Sequence, residues 1–118
     1  MHFDQTVTIN AAPEKAWAVL TDVERAPEWT ASMTSVKRLD DGPFRVGSRA
    51  RIRQPWLLPA TWRVDELSAP SWFAWETHSP TMRIVAGHRI DASPGGCTVT
   101  LSTDLSGVLA PVIGRVYR

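Results

Sequence analysis

Residues 61–91 read TWRVDELSAPSWFAWETHSPTMRIVAGHRID, and this stretch decides the fold because it contains three consecutive strand patterns. Apolar and polar side chains alternate in 61–67 and 83–91, the period of two that is typical of half-buried strands. Between them, 72–77 is rich in aromatic residues, and prolines mark the intervening turns. Short turns without long intervening helices favour an antiparallel meander.

The sequence on either side of this stretch extends the meander and adds helices. Further strands are predicted at 2–10, 36–39, 47–54 and 97–105, and short helices at 13–21 and 22–30. Pro13 suits the first turn of its helix because the missing N–H is not needed there. After Gly107, five apolar residues recur at helical spacing: Val108, Leu109, Val112, Ile113 and Val116. The predicted fold class is α+β, ordered β-αα-β6-α, with a curved antiparallel sheet of about seven strands.

The composition restricts the classes of protein and of partner. A length of 118 residues predicts one domain, 1–118, and a net charge of +1 gives no reason to expect a nucleic-acid partner. The single cysteine, Cys97, excludes an internal disulfide, and three dispersed histidines predict no metal site. No apolar run is long enough to span a membrane and no signal peptide is visible, so we expect a cytoplasmic protein.

The sequence resembles the START/Bet v 1-like (SRPBCC) superfamily, in particular its bacterial polyketide cyclase/dehydrase and lipid-transport branch. The resemblance covers essentially the whole chain, and these segments carry it: 9–17, 20–22, 27–29, 47–52, 61–64, 73–76, 88–90, 95–96 and 98–101. It implies a helix-grip fold, in which the sheet grips a long C-terminal helix and a ligand cavity lies between them. Here that helix looks shortened, so we expect either a truncated chain or a more open cavity.

The alternation of the strands predicts which side chains face the cavity. Ile52 is expected on this concave face together with the predicted ligand-binding residues Gln54, Trp56, Trp62, Val64, Phe73, Trp75, Ile84, Ala86, His88, Val99 and Leu101. Trp56 is expected as a lid at the cavity mouth. Trp17 and Trp29 are expected to fasten the short helices to the sheet.

His88 has two interpretations. It either contacts the ligand, with Gln54 as a second polar anchor, or is a core histidine satisfied by a backbone carbonyl or a buried water. No cofactor is predicted.

Three functions remain open. The first is the binding or carriage of a lipid-like or polyketide-like molecule by a monomer or homodimer. The second is a cyclase/dehydrase-type enzyme that uses the same cavity, with His88 moving a proton. The third is a protein-interaction or toxin–antitoxin role, which would use the apolar C-terminal residues.

Overall fold

The fold was analysed in a computed structural model, which describes residues 2–31 and 33–107. Its helices are α1 (Pro13–Thr21) and a 3₁₀ helix (Val23–Glu28). Its strands are β1 (His2–Ile9), β2 (Ser35–Arg38), β3 (Arg49–Arg53), β4 (Ala60–Ser68), β5 (Trp72–Ser79), β6 (Met82–Ser93) and β7 (Gly96–Gly107). The predicted C-terminal helix lies outside the described residues. No helix in the described ranges is long and apolar enough to cross a bilayer.

The seven strands form one antiparallel sheet in the order β1-β7-β6-β5-β4-β3-β2, as the meander pattern predicts. Strands β2 to β7 follow one another through hairpins and short loops, whereas β1 pairs with β7 at the far edge. The chain therefore crosses from one edge of the sheet to the other between β1 and β2. It does so through the two helices, with α1 packed on β6 and β7 and the 3₁₀ helix packed on β2.

The register places the apolar side chains on one face, which we call the concave face. Trp75 of β5 lies opposite Val64 of β4 and Ala86 of β6, and Ala86 lies opposite Thr103 of β7. Directly paired residues point to the same side of a sheet, so these side chains share a face. The buried residues of this face form the core with Ala16 and Leu20 of α1 and Val23 and Ala26 of the 3₁₀ helix.

A β-bulge interrupts β4 at Asp65, so the register passes from the Val64–Trp75 pair to the Glu66–Ala74 pair. One extra residue in a strand reverses the facing of those that follow. Leu67, paired with Phe73, consequently packs against the core, while Glu66 is exposed. The alternation of the sequence did not reveal this bulge.

The helix predicted at 22–30 is a 3₁₀ helix over Val23–Glu28. Pro27 lies within it and has no N–H to donate, which favours a short, tight helix over a continued α-helix. The first helix is confirmed with Pro13 in its first turn. Trp17 fastens it to the sheet through an edge-to-face contact with Phe73, with ring centroids 5.9 Å apart.

We predict that Gly96→Ala destabilises the fold by about 2 kcal/mol or more, because small-to-large changes in packed sites cost roughly 1–3 kcal/mol. A Cβ at Gly96 would collide with the backbone carbonyl oxygen of Ile9, which cannot rotate away as a side chain could. Chemical denaturation measures the loss. Ser93→Ala in the same hairpin is the control, because it removes a buried hydroxyl without a partner. Equal stability of the two variants would contradict this account.

Candidate ligand-binding cavity

A small cavity lies between the concave face and the chain that follows the 3₁₀ helix. Its volume is about 80 Å³, and it is lined from the sheet by Gln54, Trp62, Trp75, Ala86, His88 and Leu101. All six were predicted from strand alternation. Ala86 leaves room for the cavity because its side chain is small while its neighbours Trp62, Trp75 and His88 in the cavity wall are large.

His88 is buried on β6 as one wall of this cavity. Its Nδ1 lies 3.3 Å from the carbonyl oxygen of Phe73, and the two rings stack with centroids 4.0 Å apart and an angle of 7° between their planes. A carbonyl oxygen can only accept, so Nδ1 carries the proton and Nε2 is left as an acceptor. This arrangement is that of a core histidine satisfied by a backbone carbonyl, one of the two interpretations above.

Burial determines the charge of His88. Loss of solvent lowers the pKa of its imidazole to about 4, and the hydrogen bond to Phe73 offsets this only in part. The ring is therefore neutral near pH 7. A neutral imidazole of this pKa is a weak base and has no acidic proton to give at that pH, so it is poorly suited to general acid–base chemistry.

Two buried donors beside the cavity have no hydrogen-bond partner among the described residues. The indole Nε1 atoms of Trp62 and Trp75 make no hydrogen bond within the described part of the chain. Both side chains line the cavity, and their rings lie 6.0 Å apart. Leaving a buried N–H unsatisfied costs roughly 1–3 kcal/mol, so such groups call for an explanation.

An aromatic cluster packs against one of these two indoles, that of Trp75. Phe73 contacts Trp75 edge to face at 5.8 Å, and Phe44 contacts the same two rings at 5.1 and 6.0 Å. Phe44 comes from the irregular segment between β2 and β3, where no periodic pattern indicates burial. The cluster makes the inner wall rigid, because each ring is held by at least one perpendicular neighbour.

An apolar groove continues from the cavity towards the β1–β7 edge. It has a volume of about 280 Å³ and lies between α1 and the strands, where Val7, Val19 and Val99 line it. Trp29 and Leu101 border both the cavity and the groove. Trp29, which is 41% exposed at the end of the 3₁₀ helix, thus contributes its ring to the walls of both spaces.

The other predicted site residues lie elsewhere. Val64 and Phe73 are buried in the core and Val99 lines the groove. Ile84 and Trp56 line a separate groove at the tip of the β3–β4 loop, so Trp56 is not a lid on the cavity. Six cavity residues were not predicted: Trp29, Thr30, Met33, Gly87, Ser102 and Thr103. The first three follow the 3₁₀ helix in irregular chain, so strand periodicity could not identify them.

A charged cluster with altered proton affinities lies on the opposite, convex face. Partial burial and the neighbouring Glu76 carboxylate raise the pKa of Asp65. Partial burial acts to raise the pKa of Glu76, but the hydrogen bond that Arg83 donates leaves this pKa below its usual value. These side chains alternate with those that face inwards, so they supply no acid or base to the cavity.

The curled antiparallel sheet, the two short helices and the aromatic cavity define a START/Bet v 1-like protein with a helix-grip α+β fold. The family model described as "Polyketide cyclase / dehydrase and lipid transport" matches residues 1–117, and the chain belongs to this family. No protein with a curated description matches the sequence.

Solved structures share the fold at low sequence identity. A START superfamily protein from Mycobacterium smegmatis has a TM-score of 0.77 at 14% identity, covering 98% of this chain and 86% of that one. Ara h 8.0201 gives 0.67 at 12% identity, with 91% and 77% covered. The Aha1 dimer from Colwellia psychrerythraea gives 0.68 at 15% identity, with 98% and 84% covered.

We predict that stability falls between about pH 7 and pH 5 by about 2 kcal/mol on account of His88 alone. Its pKa is lowered from 6.5 to about 4, so only the unfolded chain binds the proton in this window. The stability that the neutral His88 side chain retains is fully present above pH 6.5 and is lost as the pH falls towards 4. Chemical denaturation at both pH values should show this slope reduced in His88→Phe.

His78→Phe, at an exposed histidine near the end of β5, is the matched control and should keep the slope. An unchanged slope in His88→Phe would mean that the buried imidazole does not govern the acid sensitivity.

Proposed function

We propose that the protein binds an apolar small molecule carrying a hydrogen-bond acceptor, such as a carbonyl, in the space between the concave face and the helices. The observation that carries the proposal is that the indole N–H groups of Trp62 and Trp75 are buried and have no partner in the part of the chain that the structure describes. Ligand sites combine apolar walls with a few polar groups that fix orientation, and these two donors have that character.

A ligand with a hydrogen-bond acceptor gains more from this cavity than a purely apolar one. Each indole N–H is desolvated and receives no bond from residues 2–31 and 33–107, so these parts of the fold already bear that cost. A carbonyl oxygen that reached either donor would gain a hydrogen bond without a further desolvation cost on the protein side. A ligand of the same shape without an acceptor would gain only burial of apolar surface.

The size of the ligand site depends on Trp29. The cavity of about 80 Å³ holds only a few atoms, whereas pockets for drug-sized ligands span roughly 300–1,000 Å³. The adjoining groove of about 280 Å³ supplies the missing room if the Trp29 ring moves aside. Its partial exposure allows such a movement without disturbing the core.

Binding or carriage is favoured over catalysis by the side chains of the cavity. His88 is neutral, and its Nδ1–H already donates a hydrogen bond to the Phe73 carbonyl oxygen. The other side chains that face inwards are apolar, amide or hydroxyl groups. Among the described residues, no group of three or more His, Cys, Asp or Glu side chains could hold a metal ion.

The proposal is tested with anthraquinone and anthracene, two molecules of similar shape that differ in their carbonyl groups. We expect wild type to bind anthraquinone roughly two- to tenfold more tightly, the ratio that one net hydrogen bond gives. Trp62→Phe and Trp75→Phe should each reduce this ratio, as measured by calorimetric titration. Trp72→Phe, on the convex face, is the matched control and should retain it.

Equal affinity of wild type for both molecules would contradict a role for the indole donors. Failure to bind either molecule, together with no apolar compound in organic extracts of the purified protein, would overturn the proposal as a whole.

We further predict that Trp29→Ala speeds the association of anthraquinone, because it removes a ring that borders both the cavity and the groove. Stopped-flow quenching of tryptophan fluorescence measures the rate. Val19→Ala, which shortens a groove residue without opening the passage, should leave the rate nearly unchanged. Equal rates in wild type and Trp29→Ala would show that this ring is not the barrier.

A further inference from the structure

The loop between β3 and β4 exposes two large apolar side chains at one end of the sheet. Trp56 is 89% exposed and Leu58 is 88% exposed, far more than any other large apolar residue described. Single exposed apolar residues are ordinary, but an adjacent Trp and Leu at a projecting tip call for an explanation. They contribute almost nothing to the core, because the described residues leave nearly all of their apolar surface exposed.

The local backbone holds these side chains outward. Trp56 has φ of 69°, a left-handed conformation that costs a residue with a Cβ roughly 1–2 kcal/mol. A turn supports it, since the Leu57 N–H donates to the Gln54 carbonyl oxygen at 3.3 Å, and Pro55 and Pro59 restrict both sides. The tip is therefore a turn that projects both side chains away from the core.

Basic side chains stand directly behind the tip. The chain from Gly42 to Val64 contains five arginines and no acidic residue. Arg51 and Arg53 lie exposed on the convex face of β3, and no ion pair within the described ranges engages either of them. Arg53 precedes Trp56 by three residues, so their Cα atoms are within roughly 10 Å.

We propose that this tip docks the protein on a lipid bilayer that carries anionic headgroups. Trp56 and Leu58 enter the interface between headgroups and acyl chains, a region that favours the amphipathic indole ring. Arg51 and Arg53 remain at headgroup level and contact phosphate oxygens. An apolar projection backed by uncompensated positive charge has the complementarity that an anionic membrane surface requires.

A second copy of the chain fits this surface less well. Stable protein interfaces bury about 1,200–2,000 Å² in total with matching shapes, and a projecting tip of a few residues offers neither. Arginine stripes brought together by a symmetric contact would also repel each other. A fluid lipid interface needs no complementary shape, so a small projecting tip is sufficient.

The tip also adjoins a route towards the interior. A groove of about 600 Å³ lies between the β3–β4 loop and the β5–β6 hairpin, and Gln54 borders both this groove and the central cavity. Docking would place the groove against the bilayer. The docking proposal stands independently of the proposed function, because a protein could bind membranes here whatever its cavity holds.

The test is flotation with vesicles of phosphatidylcholine alone and with an equimolar mixture of phosphatidylcholine and phosphatidylglycerol. Wild type should float with the anionic vesicles and much less with the neutral ones. The double variant Trp56→Asn/Leu58→Ser should lose at least about tenfold in partition coefficient. Asparagine tolerates the left-handed backbone at position 56, so folding should be preserved.

A second double variant, Arg51→Gln/Arg53→Gln, should lose the preference for anionic vesicles, by roughly tenfold to thirtyfold. The matched control is Val46→Ser/Lys15→Gln, which removes an exposed apolar residue and a cation away from the tip and should float like wild type.

Absence of wild-type flotation with anionic vesicles would overturn the proposal, as would equal losses in the control and the tip variants. Dimerisation that depends on protein concentration and is abolished by Trp56→Asn/Leu58→Ser would assign the tip to a second copy instead. Anthraquinone affinity should be unchanged in both tip variants, which separates failure of docking from failure of ligand binding.

Discussion

The edge-to-face contact between Phe73 and Trp75 is the constraint on which the remaining structure depends. These rings stand two residues apart on the inner face of β5, the central strand of the sheet order. Trp17 brings α1 to Phe73, Phe44 brings the chain before β3 to both rings, and His88 stacks on Phe73 from β6. Helix α1, the irregular segment before β3 and the neighbouring strand β6 therefore all contact this one aromatic pair. Such large rings pack densely on one side but leave gaps where small residues face them.

The cavity is a by-product of this packing, and its chemistry follows from it. Aromatic walls exclude water from His88, which keeps the imidazole neutral, and they bury the indole donors of Trp62 and Trp75, which have no partner among the residues described. The same burial that discourages proton transfer creates donors that an incoming acceptor could satisfy. The same aromatic packing forms both the stable core and the selective pocket. The pocket lowers the stability of the fold, because its two indole donors are buried away from water.

Much of the fold and part of the cavity could be predicted from the sequence. A period of two is a local signal, so the strands and their inner faces were identified, including the wall from Trp62 to Leu101. The bulge at Asp65 was not, because one inserted residue changes the pairing without changing composition. Trp29 was assigned only to fastening its helix, since its place beside the cavity depends on how the chain returns over the sheet. The position of Trp56 likewise depends on a left-handed backbone that strand alternation does not report.

Ala86 has a consequence for how this family can diversify. It is the small side chain between Ile84 and His88 on the inner face of β6, and the cavity of about 80 Å³ exists in front of it. A branched side chain at this one position would occupy most of that space, while glycine would deepen it. The capacity of the binding site thus depends on a single residue, the one that lies opposite Trp75 on the neighbouring strand. Substitutions at position 86 can therefore change the size of the ligand that the protein accommodates without changing the fold.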